Sequence, residues 1–143
     1  KTFWGAPMTV VLPEAVSGEI ARFGYIEEEL SSAFIKFIKP GATVLDVGSH
    51  FGFFSLLACH LVGDKGTVHA FEPVPSTHNI LSHNLQHCPA LTCNVAVWCE
   101  PTEIKISDQG LGMSAFNSIR APRLIPGAKE NPRPSINVPA ITL

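Results

Sequence analysis

The sequence predicts an α/β, Rossmann-like domain in which helices flank a mostly parallel sheet, and three observations carry that prediction. An apolar run, Thr43–Val47, ends in a turn bearing Gly48 and Gly52. It leads into Phe53, Phe54, Leu56, Leu57, Ala58, Leu61 and Val62, the pattern of strand, tight loop and buried helix. A second strand, Thr67–Phe71, delivers Glu72 and Pro73 at its carboxyl end, where open α/β sheets place their ligands. The 143 residues, 45% of them hydrophobic and with a mean hydropathy of +0.22, suffice for one modest domain with a packed core.

The elements follow in chain order. Residues 2–12 have β character. Residues 26–38 carry Leu30, Ala33, Phe34, Phe37 and Ile38 at helical spacing until Lys39, Pro40 and Gly41 stop the helix. Residues 1–40 are thus expected to form a strand and helix extension along one edge of the site, ahead of a core over 41–143. After the first strand and its helix, Gly63, Asp64, Lys65 and Gly66 turn the chain into the second strand. A helix is expected from about Ser76, whose hydroxyl is suited to cap it, with Ile80, Leu81 and Leu85 facing inward. The third strand is expected over residues 91–97 and a fourth over 103–107. From Asp108 onward Gly110, Gly112, Ser114, Asn117 and Ser118, then Pro122, Pro126, Gly127, Pro132 and Pro134, predict a long loop before β patterning resumes over residues 136–143.

The glycine spacing in the first turn discriminates between nucleoside cofactors. Gly48 and Gly52 let the loop bend sharply and let a ligand approach main-chain atoms that a Cβ would shield. A dinucleotide site wants G-x-G-x-x-G so that a pyrophosphate can rest on the helix N-terminus. This chain has Asp46-x-Gly48-x-x-x-Gly52 instead. An acidic residue there repels a pyrophosphate and helps hold a cationic amino-acid end, which favours S-adenosyl-L-methionine over NAD. Glu72, at the tip of the next strand, is placed to accept both hydroxyls of a ribose. Ordinary surface carboxylates at strand ends are the plainer explanation of both residues, but their occurrence at the ligand-facing ends of consecutive βα units favours the cofactor role.

These blocks also carry a family resemblance. Gly24 to Leu30, then Val44 to Ser55, then Phe71-Glu72-Pro73 with Asn84-Leu85, and finally Asn94 to Val97 resemble the FkbM-type S-adenosylmethionine-dependent methyltransferases. The family usually has asparagine where this chain has His50. The resemblance implies a class I methyltransferase fold, a seven-stranded doubly wound sheet that would continue beyond Leu143. The chain is therefore expected to be the amino-terminal part of a larger protein, a single domain truncated on its C-terminal side. Gly48, Ser49, His50, Phe51 and Gly52 would wrap the methionine part and ribose, and Asn94, Val95 and Ala96 would contact adenine unless they are an ordinary strand end. Pro73 belongs to the same cofactor-binding set. Glu27 either reaches the cofactor's amino-acid end or the acceptor, or is a solvated carboxylate at a helix start. His50 either touches cofactor or acceptor or merely sits at the helix start. Phe53 and Phe54 are expected to pack helix against sheet. The segment from Ser114 to Ser118 either shapes the acceptor pocket or is a plain Gly-Ser loop.

Bulk properties exclude several other classes. A net charge of −2 and a pI near 6.3 give no general attraction to nucleic acid or anionic lipid, so no nucleic-acid partner is expected. Cys59, Cys88, Cys93 and Cys99 lack C-x-x-C spacing, so neither a zinc knuckle nor a disulfide framework is suggested, and a reducing, cytoplasmic setting is expected. His83 and His87 share a helical face without a third ligand, so solvent exposure explains them better than a metal does. The longest apolar stretch is too short to span a bilayer. The expected activity is S-adenosylmethionine-dependent O-methylation of a hydroxyl on a sugar, glycan or secondary metabolite, an acceptor class implied by the resemblance alone. No residue is identifiable as the base that takes the hydroxyl proton. Alternatives are another nucleotide-binding Rossmann enzyme, such as an NAD-dependent one, and a non-catalytic cofactor-binding or interaction module.

Overall fold

A computed structural model describes residues 1–119 and 134–143 of the chain; Pro122, Pro126, Gly127 and Pro132, expected in the long loop, lie outside the described residues. The chain begins with two helices, α1 (Ala15–Phe23) and α2 (Glu28–Phe37), and then alternates β1 (Thr43–Val47), α3 (Phe53–Val62), β2 (Thr67–Phe71), α4 (Pro75–Leu85) and β3 (Ala90–Cys93). β1, β2 and β3 form a parallel sheet in that order, with Asp46 opposite Ala70 and Val47 opposite Phe71. β1 and β2 have the bounds that the apolar runs predict.

Both crossover helices cover the same face of this sheet. Leu56, Ala58, Cys59 and Val62 of α3 and Leu81 and Leu85 of α4 form one buried cluster with Val68 and Ala70 of β2. At roughly 1.5 to 3 kcal/mol per fully buried aliphatic side chain, this cluster is the main anchor of the strand tips. On the opposite face Leu45, Val47 and Leu91 are each more than half exposed.

The third predicted strand is in fact two. Residues 91–97 divide into β3 and β4 (Ala96–Val97), which belong to different sheets. The break has a specific cause: the Asn94 side chain turns back and its Nδ2 donates to the carbonyls of Glu72 and Pro73 at 2.9 and 3.0 Å. The second sheet has β6 (Ser135–Ile141) at its centre, parallel to β4 and antiparallel to β5 (Thr102–Ser107). Its core joins Ile104, Ile106, Val138 and Ala140 to Val74 and Ala96.

The amino-terminal segment differs most from expectation. Residues 2–12 form no strand, because their backbone groups find other partners: Thr2 N–H donates to Ala6 O, and Thr9 pairs through both N–H and C=O with the amide of Asn84. Helix α1 was not foreseen. Its cap is Glu14, whose carboxylate accepts from Val16 and Ser17 N–H at 3.1 and 2.7 Å, and Gly24 ends it at φ +78°. α4 starts at Pro75, so Ser76 lies inside the first turn rather than capping it; proline suits the first helical position because its φ is preset and its absent N–H would have had no intrahelical partner. Ile80 is half-buried on this helix, and Leu81 and Leu85 are buried. α2 packs through Phe34 on Phe54 while Leu30 and Phe37 remain exposed.

Gly66 marks a tight junction before β2. An added Cβ would collide with the Val62 side chain and stand 2.6 Å from Ala42 O. Gly66→Ala is expected to destabilise the fold by about 1 to 3 kcal/mol through overpacking, measured as a lower denaturant midpoint at unchanged slope.

Candidate functional site

A cavity of about 640 Å³ opens over the carboxyl ends of β1 and β2. Its floor is the turn after β1, one wall is Glu72, Pro73 and Val74, and another is Val95, Ala96, Val97 and Trp98. α1 contributes Val16 and Ile20, the link between α1 and α2 contributes Ile26 and Glu27, and a 3₁₀ segment, Leu111–Phe116, supplies Ser114 and Ala115 from the far side. Ten of the twelve residues singled out in the sequence line this space: Glu27, Asp46, Gly48, Ser49, His50, Phe51, Glu72, Pro73, Val95 and Ala96.

Gly52 and Asn94 do not line it. Gly52 lies behind the loop at φ +89°, and a Cβ there would be 2.6 Å from Leu81 Cδ1, so this glycine lets α3 approach α4 rather than admit a ligand. Asn94 is occupied in holding the β2 tip through its two carbonyl contacts. Gly48 fits the ligand role better: at φ +80°, a Cβ on it would meet nothing within 4 Å, so its main chain is open.

Glu72 is almost fully buried and ties the site together. Its Oε2 accepts from His50 N–H at 3.0 Å and its Oε1 from Val74 N–H at 2.9 Å. Each oxygen retains a further lone pair for a ligand hydroxyl. Burial pushes its carboxyl above the ordinary range, the Val74 and His50 N–H groups pull it back, and the Asp46 charge raises it again. Asp46 accepts from Ser55 Oγ at 2.5 Å; burial raises its proton affinity and the hydroxyls of Ser55 and Ser49 oppose the rise. Two acidic groups at neighbouring strand tips thus share one partly desolvated space.

The remaining loop residues are held from several sides. Ser49 Oγ donates to Asp46 O at 2.8 Å. Phe51 is 1% exposed, its carbonyl accepts from Asn84 Nδ2 at 2.8 Å, and its ring lies 3.9 Å from that of His50. His50 has φ +50°, and its Nε2 is 2.7 Å from Ser114 Oγ. Burial lowers its proton affinity, while the Glu14 charge works in the opposite direction. Glu27 is exposed at the rim and starts α2 with φ +45° and no side-chain cap. Phe53, buried, and Phe54, half-buried, pack against Trp4 and Phe34 and also touch the cavity.

Sequence reasoning missed three supporting residues. Ser55 is legible afterwards as the first-turn hydroxyl of α3 that faces Asp46. Asn84 stood in a recognised block, but nothing local shows that its amide joins residue 9 to residue 51. Glu14 gives only the weak signal of a carboxylate ahead of a helical stretch.

The parallel β1–α3–β2–α4–β3 unit thus defines an α/β domain whose acidic strand tips and open glycine turn face one cavity. The Methyltransferase FkbM domain matches residues 46–143, more than half of the chain, and the chain belongs to that methyltransferase family. The Ribosomal RNA large subunit methyltransferase E of Alkalilimnicola ehrlichii is 30% identical over 93 residues, which cover 62% of this chain and 44% of that protein. A SAM-dependent O-methyltransferase of Thermotoga maritima superposes with a TM-score of 0.47 at 19% identity, over 63% of this chain and 38% of that one. The chain spans less than half the length of these relatives. The similarity to an enzyme named for ribosomal RNA overturns the expectation of a small-molecule or glycan acceptor without nucleic acid; overall charge misled there, because net charge reports non-specific attraction and not the identity of an acceptor. No helix among the described residues is long and apolar enough to cross a membrane.

The raised carboxyls have a stability consequence with a definite sign. A carboxyl that binds its proton more tightly in the folded state costs nothing below its ordinary value, 3.8 for Asp46 and 4.5 for Glu72, and destabilises the fold progressively as pH rises through the raised value. The ligand-free protein should therefore lose stability over that rise. Asp46→Asn, which keeps an acceptor for Ser55, should flatten the decline and raise the melting temperature at neutral pH, as followed by thermal denaturation across pH.

The Asn84 amide makes three hydrogen bonds to main chain. Asn84→Ala should cost about 1 to 3 kcal/mol, and hydrogen exchange should rise first around residues 8–10.

Proposed function

We propose that the cavity binds S-adenosylmethionine and that the domain transfers its methyl group to a hydroxyl oxygen. The observation that carries this is the pair of desolvated carboxylates, Asp46 and Glu72, at adjacent strand tips facing one cavity. Such a pair repels a pyrophosphate and suits a ligand that combines a cationic amino-acid end with a ribose. The residues present fit that cofactor: Glu72 would accept ribose hydroxyls through its remaining lone pairs, Asp46 would face the cationic end, and the open main chain at Gly48 would lie against it. Pro73, Val95 and Ala96 offer an apolar wall suited to adenine.

Bound there, the cofactor supplies a methyl group already activated by a sulfonium. What remains for the chain is to hold the acceptor in line, exclude water and accept a proton. Positioning of this kind contributes as much as roughly 7 to 11 kcal/mol. The acceptor is RNA in this proposal, which similarity to the ribosomal RNA methyltransferase supports; the hydroxyl that an RNA chain offers is that of its ribose. Residues 1–143 act as one cofactor-binding domain with 1–40 as its extension, in a reducing cytoplasmic setting that the free thiols of Cys59, Cys88, Cys93 and Cys99 favour.

Calorimetry with S-adenosylhomocysteine should show binding by the native chain and a loss of about 10- to 100-fold in Glu72→Gln, the equivalent of roughly 1.5 to 3 kcal/mol for a charge-assisted hydrogen bond. Uptake of NAD in place of S-adenosylhomocysteine would refute the cofactor assignment. Absence of labelled methyl transfer to ribosomal RNA would refute the acceptor.

A further inference from the structure

We infer that His50 takes the proton from the acceptor hydroxyl, through its Nδ1 atom; the inference rests on the methyl-transfer activity proposed above. His50 lines the cavity and is half-buried in it. Its Nε2 stands 2.7 Å from Ser114 Oγ, which is itself 3.1 Å from the carbonyl of Leu111. A hydroxyl has one proton and a carbonyl only accepts. Both contacts are therefore satisfied when Ser114 donates to Leu111 O and accepts Nε2–H from the imidazole. In a neutral ring that leaves the lone pair on Nδ1.

Among the described residues nothing else claims this lone pair. No hydrogen bond to Nδ1 is formed among the described residues, and the atom is not sealed from solvent: the one fully enclosed polar side-chain atom without a partner there is Thr77 Oγ1. Meanwhile His50 is held at two further points. Its main-chain N–H is held by Glu72 Oε2, and its ring lies against Phe51 with an interplanar angle of 32°. A base held by backbone, ring face and one nitrogen, on a residue that lines the cavity and with its second nitrogen unbonded among the described residues, is preorganised for proton transfer.

The charges around it favour that transfer. Glu14, at the start of α1, is fully buried and its charge stabilises the imidazolium. Glu72 faces the main chain of His50 from the end of β2, and Asp46 shares the cavity from the end of β1. Leu111–Phe116 adds the Ser114 hydroxyl and no ionisable side chain. Burial keeps the resting imidazole neutral and able to accept. In the step itself the acceptor O–H bond breaks and its proton moves to Nδ1. The oxygen pair forms the bond to the methyl carbon as the methyl–sulfur pair returns to sulfur, leaving methyl ether, S-adenosylhomocysteine and imidazolium.

The test combines nitrogen NMR of the His50 ring with binding and transfer assays on the whole chain. In the ligand-free protein at neutral pH the ring should show a protonated Nε2 and a bare Nδ1, and Ser114→Ala should weaken that tautomer preference. His50→Asn, whose residue type tolerates positive φ, should lose about 10²- to 10⁴-fold in single-turnover rate at saturating S-adenosylmethionine, together with the acid limb of the pH profile. A protonated Nδ1 in the native protein, or an unchanged pH profile in His50→Asn, would overturn the inference while leaving cofactor binding intact. A native chain that binds no S-adenosylhomocysteine would instead overturn the methyl-transfer proposal, and this one with it.

Discussion

The site depends on the burial of one carboxylate between two main-chain N–H groups. Glu72 accepts from His50 on one side and from Val74 on the other, so a single side chain fixes both the turn after β1 and the entry into α4. A charge taken out of water is tolerated only where donors compensate it, and those two N–H groups are the compensation. The same two contacts set the relative height of the strand tips and hence the shape of the cavity. Asn94 reinforces them from the third strand by holding the carbonyls of Glu72 and Pro73. The β2 tip is thus gripped through its side chain and its backbone at once.

Around that clamp the walls are supplied by parts of the chain far apart in sequence. Asn84, at the end of α4, pairs with Thr9 and with the carbonyl of Phe51, so the amino-terminal segment is tied to the turn after β1 by a side chain and not by sheet pairing. Glu14 caps α1 and brings a buried charge toward His50. The Ser114 hydroxyl closes the far side. The Asn84 bonds to Thr9 are exposed, whereas the Asn84–Phe51, His50–Ser114 and Glu14–Ser17 links are part-buried or buried, which gives these more weight than surface contacts.

The arrangement sets stability against binding. Two acidic groups held close together and partly desolvated disfavour the ligand-free fold at neutral pH, yet the same field favours a cationic ligand. The apolar cluster beneath, shared by α3, α4 and β2, offsets this penalty by packing that does not involve the cavity. The uncovered face with Leu45, Val47 and Leu91 shows that helices protect this parallel sheet on one side among the described residues.

Much of this was legible in the sequence, because strands and buried helices leave local periodic traces. The bounds of β1 and β2, the buried helix α3, and the acidic residues at both strand tips follow from apolar runs, turn glycines and carboxylates at fixed offsets. Residues that act through distant partners left no such trace. Asn94 reads as an adenine contact or an ordinary strand end until its side chain is seen to hold the β2 tip, Gly52 reads as a ligand contact until Leu81 is found behind it, and residues 2–12 read as β until Asn84 takes backbone bonds of Thr9. The sequence alone determined which elements form and where the acidic groups stand, since these depend on neighbours within a few residues. Only the tertiary structure decided which nitrogen of His50 is bound, which glycine faces the cavity and which carbonyls Asn94 holds, because each depends on atoms brought together from tens of residues apart.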